Sequence, residues 1–332
     1  MAPTAAPQAP LELYDVAELQ AEVRALARER DAVILAHNYQ VPEVQDVADF
    51  VGDSLGLSQQ AAAADASVIA FCGVHFMAET ASILCPERTV LIPDLDAGCS
   101  LADAITPEQL RSWQAAHPGA ITVMYVNTSA EIKALTDYCV TSSNAVAVVA
   151  HILREHGPDT EILFGPDMFL GAYVERTIGR ALHVWDGECH VHAGIRPADI
   201  ARVRSEHPGA DFLIHPECGC STSVMEYVAA GDLDPEGVHM LSTGGMLAYA
   251  RDARPGRTAI VATETGMLHP LRATAPDTEF IAANERAACV YMKMITLPKL
   301  RDCLRDGVHE VKVPGAVAER ARVAIERMVA IG

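Results

Sequence analysis

Short apolar runs alternate along this chain with longer stretches of helical periodicity. Each run leads into a polar or glycine-containing turn and then into a helix-compatible segment, as in AIVATETGML (259–268). Apolar strands that alternate with amphipathic helices are typical of a parallel sheet with helices on both faces. Two other segments share the pattern and predict the same kind of unit: VIAFCGVHFM (68–77) and EILFGPDMFL (161–170).

The chain also repeats itself. The segment that begins at Cys99 matches the one that begins at Cys189 without a gap, so that the HPGA at 117–120 recurs at 207–210. A weaker third copy begins at Cys289 and continues at the other end of the chain, in the stretch leading to AVILAHNY. A repeated unit of this kind packs against its own copies. We therefore expect an α/β fold of three pseudo-threefold-related three-layer αβα domains, with parallel sheets around a central active-site cavity: 20–98 together with 289–332, 99–188, and 189–288.

Composition argues against several kinds of partner. The chain has 332 residues and a formal net charge of −19, whereas nucleic acids and anionic membranes need basic surface. The opening segment MAPTAAPQAP lacks the basic and apolar regions of a signal peptide, and we expect a disordered tail there. The longest apolar stretch, near AVAVVA (145–150), is far too short to span a bilayer. These features predict a cytoplasmic protein whose thiols stay reduced.

Three of the nine cysteines, Cys99, Cys189 and Cys289, occupy equivalent positions of the repeat. A lone cysteine is most often a packing residue, but three equivalent thiols can meet near one axis as metal ligands. A structural zinc site usually takes four ligands and a short C-x-x-C spacing, which these cysteines do not have. A [4Fe-4S] cluster held by three cysteines leaves one iron open as a Lewis acid. That arrangement favours dehydration or condensation chemistry over electron transfer.

The remaining six cysteines carry weaker signals. Cys218 and Cys220 form a C-x-C motif, which is compatible either with a ligand pair or with a redox pair. We expect the other four to be packing residues: Cys72, Cys85, Cys139 and Cys303.

Three polar pairs follow apolar runs at corresponding places of the repeat. In a strand, residues i and i+2 share a face, and functional residues of open parallel sheets gather at the carboxyl ends of the strands. Ordinary loop polarity is the alternative interpretation. Together, however, the pairs supply acid–base groups and neutral hydrogen-bond donors for one site. They are His37 with Tyr39, Tyr125 with Asn127, and His215 with Glu217.

Serine or threonine also precedes three predicted helices. N-capping is the simplest interpretation of these residues. Helix N-termini bind carboxylates and phosphates as well, through free N–H groups and the helix dipole, so three of them at one cavity would hold a ligand with several anionic groups. Neither a G-x-G-x-x-G after a strand nor a P-loop motif occurs, so a nucleotide cofactor is not indicated. The residues concerned are Ser54, Ser142 or Ser143, and Ser242 or Thr243.

Six motifs of this chain resemble the quinolinate synthase family of NAD biosynthesis, and the resemblance covers nearly the whole chain after about residue 30. The resemblance implies three similar α/β domains around a [4Fe-4S] cluster with three cysteine ligands. It also implies the condensation of iminosuccinate with dihydroxyacetone phosphate, with release of phosphate and two waters, and a transient partner that supplies iminosuccinate. The motifs are AHNYQVPEVQDVADFVGDSL (36–55), FCGVHFMAETASIL (71–84), YVNTSAEIKA (125–134), TSSNA (141–145), HPEC (215–218) and MKMITL (292–297).

The resemblance also implies a role for each candidate residue. It makes Cys99, Cys189 and Cys289 the cluster ligands, and Tyr39, His215 and Glu217 the catalytic acid–base residues. The substrate site would contain His37, Ser54, Tyr125, Asn127, Ser142, His215, Glu217 and Thr243.

One spacing departs from the family pattern. Ser54 lies 17 residues after His37, whereas Ser242 lies 27 residues after His215. An insertion of about ten residues near CGCSTS would explain the difference, and it leaves Ser242, Thr243 and Gly244 as alternatives for the third contact. The residues alone are also compatible with another open-cluster hydro-lyase acting on a small hydroxy acid, with a non-catalytic iron–sulfur sensor, and with a zinc enzyme.

Overall fold

The computed structural model describes residues 15–230 and 236–331. The segment MAPTAAPQAP, predicted to be a disordered tail, lies outside these residues. The described chain forms three parallel four-stranded sheets, which confirms the predicted α/β class. The strands are Ala32–His37 (β1), Phe50–Gly52 (β2), Val68–Cys72 (β3), Thr89–Leu91 (β4), Ile121–Tyr125 (β5), Tyr138–Val140 (β6), Ile162–Gly165 (β7), His183–Val184 (β8), Asp211–Ile214 (β9), Val238–Met240 (β10), Thr258–Ala262 (β11) and Glu279–Ala282 (β12).

All three sheets have the same strand order. It is β2-β1-β3-β4 in the first, β6-β5-β7-β8 in the second and β10-β9-β11-β12 in the third. The strand that opens each unit therefore lies inside its sheet, and its carboxyl end leads into one polar pair. His37 ends β1, Tyr125 ends β5 and His215 follows β9. The sequence repeat is thus a repeat of one folding unit.

Helices connect the strands and begin where local side chains cap them. In α5, the Thr106 hydroxyl accepts from the Gln109 N–H while the Gln109 side chain accepts from the Thr106 N–H, and Pro107 occupies the first turn. The helices are Val16–Glu29 (α1), Pro42–Gln45 (α2), Ser54–Ala63 (α3), His75–Leu84 (α4), Pro107–Ala116 (α5), Ala130–Lys133 (α6), Ala145–His156 (α7), Met168–Ile178 (α8), His190–Ala193 (α9), Pro197–Glu206 (α10), Ser221–Ala230 (α11), Thr243–Asp252 (α12), Leu268–Thr274 (α13), Leu297–Asp306 (α14) and Gly315–Ala330 (α15). Among the described residues, no helix has both the length and the apolar character needed to cross a membrane.

The hydrophobic core includes one cluster that spans the three units and another within the third unit. The large cluster contains buried apolar residues of all three units and of the C-terminal helices, and the other lies around Phe212 and Ile260. Strands such as β7 are buried along their whole length, as expected when helices cover both faces of a sheet. Cys189 and Cys289 pack against both clusters. These cysteines therefore lie at a junction between units rather than inside one.

The C-terminal segment returns to the first unit. The Val311 N–H donates to the Val90 carbonyl at 2.8 Å, the Ile92 N–H donates to the His309 carbonyl at 3.1 Å, and α14 packs against α1. Helix α15 lies against α4 of the first unit and against α6 and β6 of the second. Residues after Cys289 thus contact the first unit, and α15 also contacts the second. The boundaries predicted for the units stay a prediction.

The extra residues of the third unit form a longer helix. Between the first two strands, the first and second units have the four-residue helices α2 and α6, whereas the third has the ten-residue helix α11. Helix α11 begins at Ser221, within the CGCSTS segment where the spacing predicts an insertion. The insertion therefore lies outside the strands and leaves their order unchanged.

Candidate active site

One cavity lies where the carboxyl ends of the three sheets converge. All twelve residues that the sequence assigns to a site line it, although they come from segments far apart in the chain. Among the described residues, the lining contains neither lysine nor arginine. The twelve are His37, Tyr39, Ser54, Cys99, Tyr125, Asn127, Ser142, Cys189, His215, Glu217, Thr243 and Cys289.

Two of the polar pairs are held by the same local hydrogen bond. The Tyr39 N–H donates to Nδ1 of His37 at 3.2 Å, and the Glu217 N–H donates to Nδ1 of His215 at 3.4 Å. Because Nδ1 accepts a proton-bearing N–H, each neutral imidazole must carry its own proton on Nε2. Burial lowers the pKa of His37 to about 3 and that of His215 to about 4. Both rings are therefore neutral donors near pH 7, and Nε2 of His215 lies 3.1 Å from the Ser142 hydroxyl.

The Tyr39 hydroxyl belongs to a closed group of three polar atoms. It lies 2.6 Å from Oγ1 of Thr263 and 3.3 Å from Nε2 of His192, and those two atoms are 2.9 Å apart. Burial raises the pKa of Tyr39 above its usual range, so the phenol keeps its proton at neutral pH. A neutral phenol in this position can donate a proton and recover it through its neighbours.

Glu217 completes a hydrogen-bonded chain that starts at Tyr39. Its Oε2 lies 3.1 Å from Nδ1 of His192, which is also 3.3 Å from the sulfur of Cys189. Burial by itself would raise the pKa of Glu217, but the charge of His192 and the hydrogen bonds from His192 and Tyr125 lower it to about 2. Glu217 is therefore a carboxylate at neutral pH. The chain runs from this carboxylate through His192 to Tyr39.

Two buried oxygen atoms at the cavity have no hydrogen-bond partner among the described residues. They are Oε1 of Glu217 and Oδ1 of Asn127. A buried acceptor without a partner costs about 1–3 kcal/mol. Because both residues line the cavity, a bound ligand with suitably placed donors would recover that free energy.

The first residues of two helices differ from the capping residues that the sequence predicts. Asp53 caps α3 by accepting from the Gly56 N–H at 2.8 Å, and Asn144 occupies the corresponding place before α7. Ser54 and Ser142 are therefore not the caps, contrary to the N-cap expectation, and both line the cavity instead. In α3 the extended backbone of Asp53 lets its carboxylate accept from the first turn, whereas Asn144 holds the cap position of α7 without a side-chain capping hydrogen bond.

In the third unit the expected cap is present. Ser242 accepts from the Gly245 N–H at 3.1 Å and begins α12, while Thr243, the first residue of the helix, lines the cavity. The Thr243 hydroxyl also accepts from Nδ2 of Asn38 at 3.2 Å. The structure thus gives Ser242 the cap position and Thr243 the cavity position.

The three equivalent cysteines adopt one local conformation. Each carbonyl accepts from the N–H four residues later: Cys99 from Asp103 at 3.2 Å, Cys189 from Ala193 at 2.8 Å and Cys289 from Lys293 at 3.1 Å. All three side chains are partly exposed to the cavity. Burial raises the pKa of Cys99 and Cys289, so these sulfurs stay protonated unless a metal replaces the proton.

The spacing of the cysteine sulfurs distinguishes between two kinds of metal centre. A tetrahedral zinc ion with Zn–S bonds of about 2.3 Å holds its sulfur ligands about 3.8 Å apart. Among the described residues the three sulfurs do not form a set within 4.8 Å of one another, whereas Cys189, His192 and Glu217 do offer such a set. In a cubane cluster each cysteine binds a different iron, so its sulfurs lie further apart. The three sulfurs together are therefore too widely spaced to hold one zinc ion in this conformation.

Comparison with known proteins agrees with this geometry. The family described as "Quinolinate synthetase A protein" matches residues 21–330. The chain belongs to the quinolinate synthase family. A quinolinate synthase of Mycobacterium tuberculosis strain H37Rv is 57% identical over 313 residues, which are 94% of this chain and 88% of the relative. That of Mycolicibacterium paratuberculosis is 56% identical over 317 residues, covering 95% of this chain and 89% of the relative.

Several cavity residues of this family member were missed by the sequence analysis. His192 follows Cys189 by three residues, a C-x-x-H spacing typical of metal sites that could have drawn attention to it. Thr263 and Glu264 follow directly after β11, so the strand-end rule that selected the polar pairs would also have selected them. Asp53 carried no signal apart from its place before a predicted helix.

The remaining cysteines of this family member divide as expected, with one exception. Cys72, Cys85, Cys139 and Cys303 are buried, in line with packing. Cys218 and Cys220 are also buried and are joined by a disulfide. This bond departs from the expectation that all thiols are reduced, and it favours the redox-pair interpretation over a ligand pair.

Proposed function

We propose that this protein is a quinolinate synthase that condenses iminosuccinate with dihydroxyacetone phosphate and releases phosphate and two waters. The observation that carries the proposal is the convergence of three cysteines and three polar pairs on one cavity. The relatives that bear this name share more than half of their aligned residues with this chain over most of its length. We further propose that the protein acts in the cytoplasm and receives iminosuccinate from a transient partner.

Cys99, Cys189 and Cys289 are the proposed ligands of a [4Fe-4S] cluster. When bound, such a cluster supplies an open iron that polarises a substrate oxygen as a Lewis acid. Burial raises the pKa of Cys99, and hydrogen bonds from the N–H groups of Ala102 and Leu101 offset part of that rise in favour of the thiolate that a metal requires. All three cysteines also pack against the largest hydrophobic cluster.

Anionic substrate groups would be held without basic side chains. Ser54 and Thr243 are the first residues of α3 and α12, where free backbone N–H groups and the helix dipole attract carboxylates and phosphate. Ser142 adds a hydroxyl next to the neutral imidazole of His215. A protein with a net charge of −19 can therefore bind a dicarboxylate and a phosphate, because these donors do not enter the charge count.

The proton-transfer roles follow from the protonation states. Glu217 is ionised and has a free oxygen, Oε1, for a substrate proton. Tyr39 is neutral and can return a proton to an oxygen that leaves as water. His192 hydrogen-bonds on both sides, to Glu217 and to the Tyr39–Thr263 pair, so it can carry the proton between them.

An anaerobic assay with both substrates tests the proposal. Cluster-loaded protein should form quinolinate and release one phosphate for each molecule made. A protein with a full complement of iron and sulfide that forms no quinolinate would refute it. Activity on a small hydroxy acid without the triose phosphate would instead identify an open-cluster hydro-lyase, and the absence of any saturable dicarboxylate binding would identify a sensor.

A further inference from the structure

A second cluster of metal-ligating side chains lies in the second unit, at the amino ends of its strands. His117 ends helix α5, Glu161 directly precedes β7 and His183 begins β8. Oε2 of Glu161 lies 3.8 Å from Nδ1 of His117 and 4.0 Å from Nε2 of His183. All three ligand atoms fall within 4.8 Å of one another. The active-site cavity is at the opposite, carboxyl ends of the same strands.

The dimensions of this cluster suit a small divalent ion. Zinc with bonds of about 2.0–2.1 Å to nitrogen and oxygen places its ligands about 3.3 Å apart. The two distances from Oε2 of Glu161 to the imidazole nitrogens exceed this by about 0.5 and 0.7 Å. The side chains are partly exposed, 26% for His117, 55% for Glu161 and 41% for His183, so small rotations can close the gap. Two imidazoles and one carboxylate are a zinc-type donor set that leaves a fourth position for water.

The backbone already holds the three residues together. The Glu161 carbonyl accepts from the Ile121 N–H at 2.9 Å, and β7 pairs with β8 through Leu163 and His183. The His117 carbonyl accepts from the Ala120 N–H at 3.1 Å in the turn that leads into β5. Within the described residues, both ion pairs of Glu161 are to these two imidazoles. The site therefore requires little ordering when a metal binds.

The internal repeat shows that these residues are not needed for the fold. The third unit repeats the HPGA turn, and His207 ends α10 with nearly the same backbone angles as His117 has after α5. Strand pairing aligns Ile162 with Ala259 and His183 with Ile281, so Thr258 stands where the second unit has Glu161. Both units therefore have the first histidine, His117 or His207. Glu161 and His183 have no counterpart of the same type in the third unit.

We propose that His117, Glu161 and His183 form a binding site for a divalent transition-metal ion of the zinc class, separate from the cysteines of the active site. A bound ion would tie the end of α5 to the amino ends of β7 and β8. It would therefore stabilise this edge of the second unit by RT ln(1 + c/Kd), where c is the free metal concentration.

Zinc titration of cluster-loaded protein under anaerobic conditions tests this site, with iron content measured before and after to show that the cluster is intact. The wild type should bind one Zn²⁺ per chain. His183→Ala and Glu161→Gln should each weaken binding by at least about tenfold. His207→Ala is the matched control, because it removes the equivalent histidine from a unit that lacks the other two ligands, and its affinity should be unchanged.

Cobalt substitution identifies the donor atoms. Co²⁺ bound at this site should give visible bands of nitrogen and oxygen ligation without intense thiolate charge transfer, and His183→Ala should lose them. Equal zinc affinity in all variants, or no saturable binding by about 100 μM Zn²⁺, would overturn the proposal. So would a cobalt spectrum dominated by thiolate ligation, since that would place the metal at the cysteines.

Discussion

Removing the hydroxyl of Tyr39 should separate a catalytic role from a structural one. In Tyr39→Phe the hydroxyl loses its contacts to Thr263 at 2.6 Å and to His192 at 3.3 Å. Those two partners still share their own 2.9 Å hydrogen bond, so neither is left unsatisfied. The stability cost is then that of one net hydrogen bond, about 1 kcal/mol, which lowers Tm by only a few degrees in a chain of this size.

The expected loss of activity is much larger than the loss of stability. If the neutral phenol transfers a proton in the reaction, its removal should lower kcat by about 10² to 10⁴. The assay is quinolinate formation by cluster-loaded protein, with the visible absorption of the cluster measured on the same sample. KM should change little, because the substrate anions are held by other residues.

Tyr249→Phe is the matched control for this experiment. The Tyr249 hydroxyl also donates a hydrogen bond, a partly buried one, to Asp211 at the start of β9, but it lies outside the cavity. That variant should lose a comparable amount of stability and keep its kcat. A Tyr39→Phe enzyme whose kcat stays within about threefold of wild type would refute the proton-transfer role. Equal losses of activity in both variants would show that the effect is structural.

Three further predictions concern the ligands, the carboxylate and the acid stability. Glu217→Gln should keep the fold and the cluster but lose about 10² to 10⁴ in kcat, measured in the same assay; unchanged kcat would exclude Glu217 as the base. Hydrogen bonds from Arg257 and Tyr249 outweigh burial and lower the pKa of Asp211 below its unfolded value, so its stabilising contribution is present above about pH 4 and is lost as the pH falls through the folded pKa. Urea unfolding should therefore show Asp211→Asn to be less stable than wild type at pH 7, with a difference that shrinks toward pH 3.5, and a difference independent of pH would contradict this. Cys99→Ala, Cys189→Ala and Cys289→Ala should each abolish the brown chromophore and the bound iron. Cys303→Ala removes a buried cysteine away from the cavity and should retain both. A normal cluster in any of the three ligand variants would refute the assignment.

Much of the architecture could be predicted from the sequence because it depends on short-range patterns. Apolar runs followed by helical segments fix the α/β class through local hydrogen bonding and burial of both sheet faces. The 90-residue offset between Cys99 and Cys189 shows the repeat directly. The strand-end rule then selects residues such as His37 and Tyr125 without any knowledge of how the units are arranged.

The helix caps show where local patterns become ambiguous. Ser54 and Asp53 are adjacent, and both side chains are good caps. The choice between them depends on which residue adopts the extended backbone before α3, and in the structure that residue is Asp53. The same ambiguity separates Ser242 from Thr243, since either hydroxyl could have capped α12.

The repeated α/β unit, the polar strand ends and the three equivalent cysteines can all be read from the sequence, because each depends on neighbours a few residues away or on a repeat visible in the letters. Which residues far apart in the chain touch one another is known from the fold alone. It joined Tyr39 to Thr263 and His192, and it brought His117, Glu161 and His183 together. These contacts depend on the packing of helices and sheets over long separations in the chain, and no local pattern of residues encodes such distances.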